Sequence, residues 1–492
     1  MTSLQEDLKA IWQAGVDGVD VRRLIGEHVT VEDDFLTIDD MPFSLAEPAK
    51  ISVIGAGKAT AGMATAIEQV LARQIDAGMV AGFINIPEGC EQPLRVIRQH
   101  IARPAGVNEP TEAGVFGTQQ MLDLIATVNR ELTERNIPLS RHLVLCLMSG
   151  GGSALMPLPA DGVTLAQKLA VTRFLSAAGA TINEINTVRK QLSGIKGGML
   201  KQFCNGTKLV GLILSDVLGD PLDVIASGPT VDNETTAEDA INVLDKFGFE
   251  RPMQKSDLPQ ELDVFNFLET KMIEDELFGN KLSYLRGIGP GSLVRNFIIG
   301  NNATAVDASG LEAVSRGYSP TMLCATQSEG DVETLAEHFV DVVQKLIVAG
   351  SSVVTLSDCL ISGGEPTVKL VQESQRGLGG RNQQLVLAVI CRLFEDTAWL
   401  ANVRENAAAC RFAFLSGGTD GEDGPTDAAG AFFDGQILHA IARSGVNPAD
   451  YLSRNDAYHF FERFDALLKT GPTGTNVCDI RVLLSLPPRG KY

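Results

Sequence analysis

Four apolar runs in this 492-residue chain lead straight into small polar residues that could hold an anion. LCLMSGGGS carries Ser149, Gly150, Gly151, Gly152 and Ser153, and GLILSDVLGD carries Ser215 and Asp216. CLISGGEPT carries Ser362, Gly363, Gly364 and Glu365, and FAFLSGGTDG carries Ser416, Gly417, Gly418, Thr419 and Asp420. In an open parallel sheet the ligand crevice lies beyond the carboxyl ends of the strands. Glycine there lets backbone N–H groups approach an anion, and a following helix N-terminus adds partial positive charge. One such turn can simply end a strand; four of one style point to an anion-binding crevice.

The charges fit the same chemistry. ISVIGAGKAT supplies Gly55, Gly57 and Lys58. It fails as a Walker A loop, because Ser52 replaces the first glycine and Ala59 the magnesium-binding hydroxyl, and Thr60 breaks the dinucleotide fingerprint. What is left is an anion-binding turn with a lysine, or a surface lysine at a helix start. Asn186, Arg189, Ser193 and Lys196 fall on one stripe of a helix expected over 182–202, either lining a pocket edge or forming an ordinary basic surface. RGLGGRNQQ reads as a flexible loop bringing Arg381 to a helix start, and arginine binds phosphate or carboxylate bidentately. GTDGEDGPTDAAG places Asp420, Glu422, Asp423 and Asp427 close together without EF-hand spacing. Asp420 is the one expected to face the crevice and a hydrated Mg2+. Phosphoryl transfer needs cations around the moving group, Mg2+ on the nucleotide and an aligned hydroxyl. Lys58, Arg189, Lys196, Arg381, Asp216 and Asp420 supply those types, but spacing does not show that they converge.

The elements that must position these residues alternate as short Val/Ile/Leu runs and helical segments, which predicts an α/β protein with largely parallel sheets. Strands are expected at 51–54, 80–86, 143–148, 208–214, 297–299, 319–324, 359–361, 367–371, 411–415 and 480–486. Met63, Ile67, Val70 and Leu71 mark a helix face after the first, and Thr181 with Glu184 forms a capping box. Polar, proline-punctuated sequence over 250–290 suggests a boundary between two α/β/α domains, 1–285 and 286–492. A net charge of −20 argues against nucleic acid. The eight cysteines lack CxxC spacing, and no run is apolar enough for a membrane span. With no apolar leader at the start, a cytoplasmic enzyme is the expectation.

Taken in order, VIGAGKATAGMA, MSGGGSALMPLPADGVTL, GATINEINTVRKQLSGIKGG, LILSDVLGDPLDVIASGPT, ISGGEPTVKL, GLGGRNQQ and SGGTDGEDGPTDAAGA resemble the glycerate 2-kinases whose C-terminal part is the MOFRL domain. The resemblance spans most of 50–235 and 295–485. It implies a Rossmann-like glycerate kinase domain followed by a MOFRL-type domain, with the active site in the interdomain cleft, and transfer of the ATP γ-phosphoryl group to the 2-hydroxyl of D-glycerate with Mg2+. The family's catalytic lysine falls on Lys58 and its arginine on Arg381, and each should be replaceable by alanine with loss of turnover but not of folding. Substrate or phosphate contacts are expected from Gly57, the Ser149–Ser153 turn, Arg189, Lys196, Gly364 and Glu365, with Asp216 or Asp420 as metal ligand or base. The partners implied are D-glycerate and ATP, for a monomer or homodimer. HIARPAGVNEPTEAG at 100–112 departs from the family pattern, and 250–290 matches it poorly. The rival reading is an NAD(P)H-dependent hydroxypyruvate reductase, suggested by the GxG turn and opposed by the broken fingerprint.

Overall fold

A computed structural model describes residues 3–46, 49–250, 264–278, 293–349 and 358–485. The chain forms two compact units, and neither is contiguous: one comprises Val21–Ser215 and Asp220–Ile299, the other Met1–Asp20, Asp216–Gly219 and Gly300–Tyr492. A simple division at 285/286 is therefore corrected, since the first twenty residues and the segment 216–219 join the C-terminal body. The polar region that suggested the boundary lies mostly outside the described residues.

The first unit opens with an antiparallel meander, β1 (Val29–Glu32), β2 (Phe35–Ile38) and β3 (Met41–Ser44). Its main sheet contains β4 (Lys50–Ala56), β5 (Val80–Pro87), β6 (Ile97–Arg103), β7 (His142–Met148), β8 (Lys208–Leu214) and β9 (Leu293–Gly300), in the order β6-β5-β4-β7-β8-β9. The pairings from β6 through to β8 are parallel, as expected. β7 is buried at every residue, which explains its unbroken apolar sequence. From β4 the chain builds outward through β5 and β6, then returns to add β7 and β8 on the other side. That reversal puts a topological switch point at the carboxyl ends of β4 and β7, where the GAGK and SGGGS turns begin.

The helix with the predicted capping box runs Ile182–Gln191, closed at its start by Thr181 and Glu184. It stops well short of 202: Ser193 bridges to Pro159, and Gly197 and Gly198 adopt positive φ of 59° and 81°. Ser193 and Lys196 therefore sit in a turn, not on the helical stripe that spacing implied.

The second unit holds β10 (Pro320–Cys324), β11 (Cys359–Gly364), β12 (Phe412–Gly418), β13 (Gly430–Phe433), β14 (Leu467–Leu468) and β15 (Asp479–Ser485), ordered β10-β11-β15-β12-β13-β14. Only the β10–β11 pair is parallel, because β15 inserts antiparallel to both β11 and β12. The α/β class holds here, but a largely parallel sheet does not. The strand expected at 367–371 is absent: Thr367 makes one isolated bridge to Asp331, and Leu370 is 60% exposed. The helix Leu4–Gly18 packs into this unit, burying Trp12, whose indole N–H donates to the Gly417 carbonyl at 3.2 Å.

Candidate active site

The turns after β4 and β7 are laced together. The Lys58 N–H donates to the Gly150 carbonyl at 2.9 Å, and the Ala59 N–H to Ser149 Oγ at 3.0 Å. Gly57 has φ 151°, and a Cβ there would stand 2.1 Å from Ser149 Oγ. Ser149, expected to contact substrate, is instead committed to this lacing. Gly151, at φ 78°, is the N-cap of the short helix Gly152–Leu155. Lys58 stands half-buried at the start of the helix Thr60–Val70.

Ser153, at the end of the second turn, is a point of convergence. Arg189 Nη2 donates to its Oγ at 2.6 Å, and Lys196 Nζ donates to its carbonyl at 2.7 Å and its Oγ at 2.8 Å. Ser227 Oγ lies 2.8 Å from Ser153 Oγ and donates to Asn186 Oδ1 at 3.2 Å. Lys196 also reaches the Ala226 carbonyl at 3.4 Å. Ala226, Ser227 and Gly228 all have positive φ (50°, 62° and 61°), conformations that cost strain for the first two and persist where the surroundings dictate them. Two of the three cations of this region are buried, Lys196 at 3% and Lys168 at 7% exposed, and Arg189 beside them is half-buried. Burial pushes Lys196 well below the ordinary lysine value, aided by repulsion from Arg189 and Lys168, and burial with repulsion from Arg189 brings Lys168 down to about 7. No ion pair to a carboxylate involves Lys168, Arg189 or Lys196 among the described residues. Buried cations without counter-charges are costly, and an incoming anion relieves them.

The second unit holds Arg381 differently from expectation. Its Nε and Nη2 donate to the two oxygens of the fully buried Asp479 at 2.7 and 3.0 Å, and Nη1 donates to Glu365 at 2.6 Å. Burial opposes its charge, but Asp479, Glu365 and Asp423 together outweigh burial and raise the Arg381 pKa, so the guanidinium is permanently charged. Three of its five N–H groups are used, which leaves two without a bond to the described residues. Its loop is not flexible: the Leu378 N–H donates to Asp456 at 3.1 Å, and a Cβ on Gly380 would meet Asp423 at 2.2 Å. Asp423 accepts from the Asn382 and Gln383 N–H groups at 3.0 and 2.8 Å, capping the helix Arg381–Phe394, while burial lifts its pKa to about 7.

Two of the four glycine turns prove to be parts of strands. Gly363 and Gly364 lie within β11, where a Cβ would meet Asn302 and Glu329 at 1.7 and 1.9 Å. Gly417 lies in β12 against Trp12. Gly364 is thus a close-packing glycine, not an anion-binding one. Asp216 accepts from Asn476 at 3.5 Å, and Asp420 accepts from the Glu422 N–H at 3.1 Å. No group of three or more His, Cys, Asp or Glu among the described residues is arranged to hold a metal ion. The residues do not fit a protein-bound Mg2+; such an ion would come with the nucleotide, ligated mainly by phosphates and water. Lys168, Ser227 and Asp479 escaped the sequence reading. They sit in ordinary helical or strand sequence, and only the fold brings them to these points.

The chain matches the family described as Domain of unknown function (DUF4147) over residues 7–258 and the MOFRL family over residues 358–479. It is 34% identical to a glycerate kinase of Danio rerio, over 99% of both chains. It is also 34% identical to a D-glycerate 2-kinase of Thermotoga maritima, over 88% of this chain and 89% of that one. Among solved structures, a glycerate kinase from Thermotoga maritima superposes with a TM-score of 0.74 at 29% identity, covering 98% of this chain and 99% of the other. A protein of Pyrococcus horikoshii gives a TM-score of 0.74 at 28% identity, over 99% of each.

Proposed function

The chain belongs to the glycerate kinase family, and on that premise we propose that it transfers the γ-phosphoryl group of ATP to the 2-hydroxyl of D-glycerate. The glycerate oxygen bonds to the γ-phosphorus, the bond to the β-phosphate oxygen breaks, and ADP and 2-phosphoglycerate leave with loss of the hydroxyl proton. The observation that carries this reading is the set of buried cations without carboxylate partners around Ser153. Such a cluster suits the carboxylate of a small hydroxy acid.

In this reading Arg189, Lys196 and the Gly150–Ser153 turn hold the glycerate carboxylate. Lys58 is a catalytic residue that neutralises charge on the phosphoryl group as it moves. Arg381 is the second catalytic cation, offering its two remaining N–H groups to nucleotide phosphate oxygens, with Glu365 and Asp479 fixing its plane. Gly57 brings Lys58 close to the Ser149 turn. Asp216 and Asp420 are our choices for the proton acceptor or for water-mediated contact with nucleotide-borne Mg2+.

Phosphorus NMR on protein mixed with D-glycerate, ATP and Mg2+ tests the reading, beside an ATP-free arm containing NADH and hydroxypyruvate. A new 2-phosphoglycerate resonance is the expected outcome. NADH consumption without phosphoryl transfer would sink the kinase in favour of the reductase, and a 3-phosphoglycerate resonance would refute the choice of hydroxyl.

A further inference from the structure

Lys168 lies on the helix Leu165–Ala177, 7% exposed, and among the described residues its Nζ reaches only the Leu158 carbonyl, at a long 3.4 Å. That carbonyl also accepts from Ser193 Oγ at 3.1 Å, and Ser193 Oγ in turn accepts from the Lys196 N–H at 3.3 Å. Lys168 is thereby tied to the turn that carries Lys196. Its charge is felt by Lys196, as Arg189's is by both lysines. No carboxylate bonds to any of the three among the described residues.

When an incoming anion holds both lysines in their protonated form, three positive charges stand against the single negative charge of glycerate. A phosphate ester of the same acid brings the carboxylate and a further ~1.5 to 2 negative charges at neutral pH. Its oxygens can also accept several charge-assisted hydrogen bonds. We propose that Lys168 is a substrate-site residue that completes a tricationic pocket matched to a phosphorylated 2-hydroxy acid, so that the site binds its product more tightly than its acceptor substrate. This rests on the glycerate kinase reading and adds a consequence to it. Catalysis gains, because the pocket favours the charge that accumulates as the phosphoryl group arrives. Turnover is then limited by product release, and phosphorylated hydroxy acids inhibit competitively against glycerate.

The test is calorimetric titration of the full chain, without nucleotide, with 2-phosphoglycerate, D-glycerate and inorganic phosphate. Because one charge-assisted contact is worth at least a tenfold affinity change, 2-phosphoglycerate should bind about ten-fold or more tightly than D-glycerate. Lys168→Met should erase most of that preference, weakening the phosphate ester about ten-fold and D-glycerate much less, and Lys168→Arg should restore it. Equal affinities in the wild-type protein, or equal weakening of both ligands in Lys168→Met, would overturn the proposal. Folding is controlled by the unliganded melting temperature, which should stay level or rise in Lys168→Met because a buried charge is removed. A fall in melting temperature with loss of both ligands would make Lys168 merely structural and also overturn the proposal. Turnover is scored separately: phosphorylation of glycerate with no product preference sinks this inference alone, whereas the absence of phosphorylation sinks the kinase reading.

Discussion

Lys168 loses its proton near pH 7 in the folded chain, because burial, with repulsion from Arg189, disfavours its charge. The unfolded chain keeps that proton up to the ordinary lysine value of about 10.5. Between those two limits the unfolded state binds more protons than the folded one, so the stability of the unliganded protein should rise with pH across that window. Anion affinity should fall over the same range, and a melting-temperature profile of the wild type against Lys168→Met checks both signs, since the variant lacks the rise. The paired cations behave differently. Lys58→Ala is expected to lower kcat by about 100-fold or more, as loss of an electrostatic stabiliser does, with an unchanged melting temperature. Arg381→Ala cannot be so clean, because it strands the buried Asp479 carboxylate, a change that costs about 3–5 kcal/mol. Chemical denaturation together with kcat separates the two losses, and unaltered stability would show that the Asp479 pair carries no weight. Lys58, Arg189, Lys196 and Arg381 were legible because they stand in or beside glycine-rich motifs. Lys168 and Asp479 were not: a lysine amid LAQKLAVTRF reads as a solvated helix face, and an aspartate opening a strand reads as an edge residue.

Turns and strands account for most of what spacing misjudged. A run of Ser-Gly-Gly after apolar residues leads into a helix at 149–152 but is part of a closely packed strand at 362–364 and 416–418, and the local sequence is nearly the same. The difference is tertiary: Asn302, Glu329 and Trp12 press on the β11 and β12 glycines from elsewhere in the chain, whereas Gly151 turns into a helix. Helix period failed after Gln191 for a similar reason, because Ser193 and Gly194 bond to Leu158 and pull the chain out of the helix. That departure is what aims Lys196 at Ser153. The lacing of the first two turns can be tested directly. Gly57→Ala places a methyl group 2.1 Å from Ser149 Oγ and 2.7 Å from its carbonyl oxygen, on a backbone with φ 151°. It should destabilise by about 1–3 kcal/mol and lower kcat more than it raises KM, since it displaces Lys58. An active variant of wild-type stability would mean that the turn has slack which the geometry denies.

The composition of the two bodies was the least legible feature, because sequence order suggests a cut and the chain makes none. The β-α alternation and the class were readable from apolar period, yet nothing in LQEDLKAIWQAGVDG signals that this helix completes a sheet four hundred residues away. It does so through Trp12, 1% exposed and hydrogen-bonded to Gly417, and through Gly15, where a Cβ would meet Ser309 and Ile480 at 2.3 and 2.6 Å. Burial of that indole is part of the second unit's core, so Trp12→Ala should cost about 3–5 kcal/mol there. Calorimetry of the full chain should show the loss in one transition only, lowered by roughly 10 °C for a body of some 200 residues. The transition of the body containing β4 to β8 should stay in place, because this helix belongs to the other unit. A fragment beginning at residue 300 should likewise fail to fold stably by itself, and adding the 1–20 peptide should recover structure, as followed by far-ultraviolet circular dichroism. If the fragment folds unaided, the helix is an ornament on a self-sufficient core, and a boundary read from sequence order alone would have been adequate.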